Sequence, residues 1–240
     1  MIKKAIRQLL QTLKLDLTKN LTYDRLTSLI IKENLSVNSN AVDVGCHKGE
    51  ILDLFLKYAP RGRHQAFEPI PTMYQSLKTR FEHTPAVNIF PVALSDETKK
   101  VQFNYVKNAP AYSGIKQRQY DISNPVIEEI EVQCKLMDDL IPTDLRIDLI
   151  KIDVEGAEFG VLKGARNVLT NNNPIVIFEF GLGASDCYGT KPIDIYGYLA
   201  EELEYKIYRL QDFVKNRQAL TFSEFEQYYL NGEYYFLAAK

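Results

Sequence analysis

Ala41-Val42-Asp43-Val44-Gly45-Cys46-His47-Lys48-Gly49-Glu50 is the stretch that decides the fold. A short apolar run carries an acid, and a turn bearing two glycines follows. Helical spacing then begins at Ile51, Leu52, Phe55 and Leu56 and stops at Pro60-Arg61-Gly62. Glycines occur where a backbone must bend sharply or approach another group closely. Between a buried strand and a helix they mark the crevice where open α/β sheets bind their ligands.

Outward from this stretch the pattern alternates. A second strand, His64–Phe67, ends at Glu68 and leads to a helix with Met73, Leu77 and Phe81 at four-residue spacing. A third strand is predicted over Val87–Leu94, ending at Ser95-Asp96. Val101–Val106 and Ile130–Leu136 read as two more strands, antiparallel to each other, with a polar loop from Lys107 to Pro125 between them. Asp148–Ile152 is a buried strand ending at Asp153, followed by a helix through Val161, Leu162, Ala165, Val168 and Leu169. Pro174–Phe180 is an apolar strand carrying Glu179, and a helix is predicted over Pro192–Leu203. Tyr205–Leu210 and Tyr234–Ala239 close the chain as strands. Strands alternating with helices imply an α/β fold, a doubly wound, mainly parallel sheet covered on both faces. The last two strands lack a helix of the usual pattern between them, so a hairpin with an antiparallel last strand at the sheet edge is expected.

Before this unit, Ile2, Ile6, Leu9, Leu10, Leu13 and Leu17 share one helical face, and Thr22–Leu35 reads as a second helix. Residues 1–38 are therefore expected to form a helical cap on a main domain of residues 39–240. A homo-oligomer contact, or a membrane-surface helix aided by Lys3, Lys4 and Arg7, is the sharper alternative for the first helix.

With 240 residues the chain is long enough for one sizeable domain. Its formal charge of −2 supplies no electrostatic case for nucleic acid as main partner. Cys46, Cys134 and Cys187 lie far apart without CxxC spacing, so neither a disulfide framework nor a zinc site is indicated, and a reducing cytoplasmic setting is expected. No signal-peptide core is read at the N-terminus, and no apolar run reaches the ~18 residues a transmembrane segment needs.

The glycine spacing separates the cofactors. A dinucleotide loop reads GxGxxG, but here only Gly45 and Gly49 are present and His47 stands where the middle glycine would be. No Gly-Lys-Ser/Thr follows, so a P-loop also fails. A carboxylate at Asp43 would repel a pyrophosphate, yet it can orient an amino-bearing or positively charged ligand. S-adenosyl-L-methionine combines a sulfonium, an ammonium and an adenosine. Glu68 would take the ribose hydroxyls, and the turn Leu94-Ser95-Asp96 could meet the adenine. The rival cofactor reading, a nucleotide-dependent oxidoreductase, is disfavoured by the missing glycine.

On these residues the sequence resembles the FkbM-type family of S-adenosylmethionine-dependent methyltransferases, over roughly residues 40–205. The resemblance rests on Asp43–Gly49, Phe67-Glu68-Pro69, Ala93-Leu94-Ser95-Asp96 and above all Ile152-Asp153-Val154-Glu155-Gly156-Ala157-Glu158. It implies a class I methyltransferase (Rossmann-like) fold, with Asp43, Gly45, Cys46, Gly49, Glu68, Pro69, Ser95, Asp96 and Asp153 toward the cofactor. It also implies methylation of hydroxyl groups, often of sugars. Cys46-His47 stands where family members often have Ala-Asn.

Hydroxyl methylation benefits from a positioned base. Asp153 leads as catalytic or cofactor-positioning carboxylate. Glu155 and Glu179, on neighbouring strand ends, are expected to reach the same crevice, where closely placed acids raise one another's pKa. Glu158 reads as a helix cap. His47 is read either as a base or as a loop histidine bonded to backbone. Oxygen ligands of this kind also suit a divalent cation, but no histidine joins the acids and no metal is predicted. Tyr112 and Ser113, in a loop long enough to be a lid, are read as substrate contacts. The expected partner is a small-molecule or glycan acceptor. A protein or lipid methyltransferase, or a non-catalytic binding protein of the same fold, is the alternative.

Overall fold

A computed structural model describes residues 18–118, 120 and 122–240. The helix expected over residues 2–17 lies outside them. The second expected helix forms as α1 (Lys19–Asn34), opened by Thr18, whose hydroxyl accepts the Leu21 N–H.

The main sheet has seven strands: β1 (Ala41–Val44), β2 (His64–Phe67), β3 (Val87–Phe90), β7 (Leu149–Ile152), β8 (Ile175–Glu179), β9 (Lys206–Arg209) and β10 (Tyr235–Ala239). Their order is β3-β2-β1-β7-β8-β10-β9. Every residue of β1, β2 and β7 is buried, as parallel strands covered on both faces must be. The order reverses between β1 and β7, so the crevice at their carboxyl ends is the topological switch point of the sheet.

Helices α2 (Glu50–Tyr58) and α3 (Pro71–Arg80) follow β1 and β2, while α4 (Glu158–Lys163) and α5 (Arg166–Asn172) follow β7. One face of the sheet packs Leu52, Phe55 and Leu77 together with Tyr23, Leu26, Ile30 and Ile31 of α1. The other face packs Val42, Val44, Ile150 and Ile152 against Val161, Leu162, Val168 and Leu169.

Several details depart from the sequence-based expectation. The strand over Val87–Leu94 is interrupted at Pro91, which has no N–H to donate to a ladder. Its second half, β4 (Ala93–Leu94), leaves the main sheet and pairs with β6 (Ile127–Lys135). Strand β6 also pairs antiparallel with β5 (Lys99–Val106), which makes a separate three-stranded sheet. The helix after β7 is split at Gly164, where a Cβ would stand 2.1 Å from the Ser95 carbonyl oxygen. That close approach presses the Ser95 turn onto the α4–α5 junction. The helix expected over 192–203 starts as α6 (Pro192–Tyr196) and continues as a π-helical segment, Gly197–Glu202.

The last strand is antiparallel, as expected, but it is not at the edge. The segment before it forms α7 (Leu210–Val214) and α8 (Phe222–Leu230), and β10 then inserts between β8 and β9, which leaves β9 outermost. Among the described residues no helix is long and apolar enough to cross a membrane.

Candidate functional site

The site grows from register. In the β1–β7 ladder Asp43 is the partner of Lys151, so the two point to the same face of the sheet. The β7–β8 ladder ends at Ile152 opposite Phe178, and Asp153 and Glu179 stand one residue beyond that pair. Tyr235, the first residue of β10, is paired with Glu179. Four adjacent strand ends thus deliver Asp43, Lys151, Asp153, Glu179 and Tyr235 to one crevice.

Asp43 is wholly buried, and neither of its carboxylate oxygens has a hydrogen-bond partner. Burial pushes its pKa up to about 7, against the pull of Lys151. Such an orphaned carboxylate is costly in an apolar setting. Lys151 is itself buried and donates to Asp153 Oδ2 at 2.7 Å. The Tyr235 hydroxyl donates to the same oxygen at 2.7 Å. Against the effect of burial, Lys151, Glu179 and Tyr235 hold the Asp153 carboxyl well below the ordinary carboxylate range. Burial, followed by the charges of Asp153 and Glu155, drives Glu179 the other way, far up. The neighbouring acids therefore part into one that is ionised and one that keeps its proton.

The turn after β1 is built by packing. Gly45 has φ +78°, and a Cβ there would meet the Asp153 carbonyl oxygen at 1.9 Å. Its glycine is thus required by the close passage of the β7 turn, and only indirectly by a ligand. A Cβ on Gly49 would point at Phe81 and Leu77. The Cys46 side chain is buried in the core, so a ligand contact from this position would come from its backbone. His47 adopts φ +47°, unusual for a residue with a Cβ. Its N–H donates to Glu68 Oε2 at 2.9 Å, and the N–H of Ile70 donates to Glu68 Oε1 at 3.0 Å. Glu68 therefore ties the first loop to the end of β2, and each oxygen keeps a second lone pair for another donor. Burial raises its pKa to about 7. Pro69, half-buried, follows it before α3 begins. The His47 Nε2 atom is buried and has no partner, and burial lowers the ring's pKa, so the imidazole is neutral near pH 7.

Ser95 and Asp96 sit at the end of β4. Ser95 Oγ donates to Asp96 Oδ1 at 3.2 Å, and Lys163 of α4 pairs with Asp96. This turn is thereby fixed to α4.

Beyond β7 the chain makes a second strained turn. Glu155 adopts φ +60°. Glu158 Oε1 accepts the N–H groups of Val154 at 3.2 Å and Gly156 at 3.0 Å, so Glu158, expected as a helix cap, instead ties the preceding turn to the first residue of α4. Burial, followed by the charge of Asp153, raises Glu155 to about 8. Arg118 Nη2 lies 2.6 Å from Glu155 Oε2, an ion contact off hydrogen-bond alignment, and both side chains are largely buried. Arg118 comes from the long loop between β5 and β6. That loop closes over the turn: the Lys116 N–H donates to the Tyr188 hydroxyl at 3.0 Å, and Lys116 Nζ donates to the Cys187 carbonyl at 3.2 Å.

The two loop residues read as substrate contacts differ. Ser113 is buried, and its hydroxyl accepts the Val106 N–H at 3.0 Å, so it shapes the loop. Tyr112 lays its ring 4.9 Å from the Arg118 guanidinium and edge-on to Tyr120. A hollow of about 440 Å³ between α3 and β3 is remote from these groups. Among the described residues, no cluster of three or more His, Cys, Asp or Glu is arranged to hold a metal ion.

Lys151, Arg118 and Tyr235 escaped the sequence reading. A lysine inside an otherwise apolar strand, Leu149-Ile150-Lys151-Ile152, was the available signal for the first. Nothing local marks the other two.

Similarity to known proteins agrees with this architecture. The sequence profile of the methyltransferase FkbM domain matches residues 43–207. The 2-O-methyltransferase NoeI of Sinorhizobium fredii is 26% identical over 54% of this chain and 58% of its own length. The methyltransferase sdnD of Sordaria araneosa is 28% identical over 55% of this chain and 62% of its own. The matches thus span about three fifths of these relatives' lengths. The crystal structure of a methyltransferase FkbM from Methylobacillus flagellatus superposes with TM-score 0.54 at 18% identity, over 85% of this chain and 44% of that one. With the FkbM profile covering Asp43 through the start of β9, the chain belongs to the FkbM methyltransferase family.

Proposed function

We propose that the protein is an S-adenosyl-L-methionine-dependent O-methyltransferase that methylates a hydroxyl of a sugar or glycan-linked metabolite. The observation that carries the cofactor reading is Asp43, a buried carboxylate with both oxygens unpartnered beside the Gly45–Gly49 turn. An amino-bearing, cationic ligand supplies the partner it lacks, and such a charge would bring its pKa back down. Glu68 would take ribose hydroxyls on its remaining lone pairs, and the Ser95–Asp96 turn would border the adenine. Support for O-methylation comes from the likeness to NoeI, named a 2-O-methyltransferase.

The cofactor, when bound, supplies an electrophilic methyl group. The chain's own task is to align the acceptor oxygen and to receive its proton; orientation contributes on the order of 7–11 kcal/mol to such reactions. Among the acids, Asp153 is already satisfied by two donors and is too weakly basic to take a proton efficiently near pH 7. It orients. Glu155, with a pKa near 8 and a buried Oε2 without a hydrogen-bond donor, is the group suited to receive the hydroxyl proton. Glu179 is its neighbour in the acid–base network, and His47 faces the charge of Asp153.

Calorimetry with S-adenosylhomocysteine tests the cofactor step. Micromolar binding that is lost in Asp43→Asn is expected, and a folded protein that binds nothing would end this reading. For the acceptor, labelled methyl is followed from S-adenosylmethionine into fractionated glycans, lipids and proteins. Label confined to protein or lipid rejects the sugar assignment, and Glu155→Gln should retain S-adenosylhomocysteine while losing transfer.

A further inference from the structure

Helix α1 touches the site through one short segment. Gly232, Glu233, Tyr234 and Tyr235 lead into and begin β10, and α1 grips each of them. Lys19 Nζ donates to the Gly232 carbonyl at 3.1 Å. The Tyr23 hydroxyl donates to Glu233 Oε1, and the Tyr234 hydroxyl donates to Asn20 Oδ1. The buried Tyr23 ring lies 4.8 Å from the ring of Tyr234 and 5.1 Å from that of Tyr235. Tyr235 in turn donates to Asp153 Oδ2, the oxygen that also receives Lys151.

Lys151 is placed by the middle of the sheet and needs no help. Tyr235 is the opening residue of an inserted strand, and its hydroxyl must reach across β8 to the end of β7. Where that hydroxyl sits depends on how the three preceding residues and the Tyr235 ring are held. A helix that merely covered apolar surface would have no need of polar contacts concentrated on that segment.

We propose that Tyr23 and Tyr235 are positioning residues of the reaction centre, through which α1 holds the Asp153 carboxylate in place. The proposal rests on the assignment of Asp153 to the cofactor–acceptor crevice. It makes α1 part of the catalytic architecture, although the helix precedes the stretch that matches the family profile.

The test is a pair of double-mutant cycles on the full chain, read by S-adenosylhomocysteine calorimetry and by urea unfolding. Tyr235→Phe removes one hydroxyl bonded to a charge and is expected to weaken S-adenosylhomocysteine binding about tenfold. Tyr23→Leu should weaken it in the same sense. In an Asp153→Asn background both changes should become silent, within about twofold. Where Tyr23→Leu does not unfold cooperatively, Tyr23→Phe, which keeps the ring and loses the bond to Glu233, is read in its place. Equal losses in both backgrounds would overturn the proposal, since they describe tyrosines acting independently of Asp153. So would wild-type affinity in Tyr235→Phe or in Asp153→Asn. If wild type fails to bind S-adenosylhomocysteine, the cofactor reading falls, and the urea cycle between Tyr235 and Asp153 decides the coupling. Additive unfolding energies there overturn it.

Discussion

Replacing Asp43 with Asn should make the ligand-free protein more stable above neutral pH while weakening its binding of S-adenosylhomocysteine. Asp43 is wholly buried, and its oxygens meet no donor. Its pKa rises from the ordinary 3.8 to about 7 in the folded chain, which corresponds to about 4 kcal/mol. Between these values the unfolded chain has released the proton while the folded chain retains it. Folding stability attributable to Asp43 is therefore complete below about pH 4 and declines as pH rises to about 7. Asparagine has the same shape and no proton to lose. Its buried amide costs about 1–3 kcal/mol, independently of pH. The variant should be less stable than wild type at pH 4 and more stable at pH 8, the difference between the two changing by up to about 4 kcal/mol across that range. Urea unfolding followed by far-UV circular dichroism or tyrosine fluorescence measures it, since the chain has 15 tyrosines and no tryptophan. Parallel stability curves for the two proteins from pH 4 to 8 would refute the claim that Asp43 is an unpaired buried acid.

Three other outcomes are expected. His64 is fully buried with Nδ1 unpartnered, and burial lowers its pKa. Its neutral form favours folding, so stability should fall as pH drops below about 6.5, and His64→Leu should flatten that slope in urea titrations. Gly45→Ala places a Cβ 1.9 Å from a backbone carbonyl at φ +78°; a loss of at least about 3 kcal/mol, or no soluble folded protein, is expected. Arg118→Ala removes the cation beside Glu155 and frees the loop over it. Limited proteolysis should then cut faster within residues 107–125, with the main unfolding transition unchanged; equal cutting rates would show that the loop is held by Lys116 and Tyr188 alone.

Much of the main sheet was legible because its signals are local. Apolar runs such as Leu149–Ile152 and four-residue spacing such as Met73, Leu77 and Phe81 report burial directly. The second sheet was less visible. Its β4 is two residues long and acquires its identity from pairing with Cys134 and Lys135, some 40 positions away. The insertion of β10 between β8 and β9 was misplaced for a similar reason: an apolar strand reads alike at an edge or inside. In the site, Asp43, Glu68 and the Asp153–Glu158 block stood out as acids at strand ends. The duty of each did not. Ser113 looked available in a polar loop, yet its hydroxyl is spent on the Val106 N–H. Cys46 stood in the turn expected to meet the cofactor, yet its thiol is in the core.

The sequence by itself determined the alternation of strands and helices, the family, and the acids near the carboxyl ends of the first and second strands. Those properties follow from short-range periodicity and from residue type at strand ends. Only the tertiary structure decided which acids are ionised and which helix supports them. Asp153 and Glu179 are both acids at strand ends, and nothing local distinguishes them. They part because Lys151 and Tyr235, brought together by sheet register, both donate to Asp153 and leave Glu179 to keep its proton. Charge in a buried site is set by its neighbours in space, and here those neighbours come from strands up to 82 residues apart along the chain.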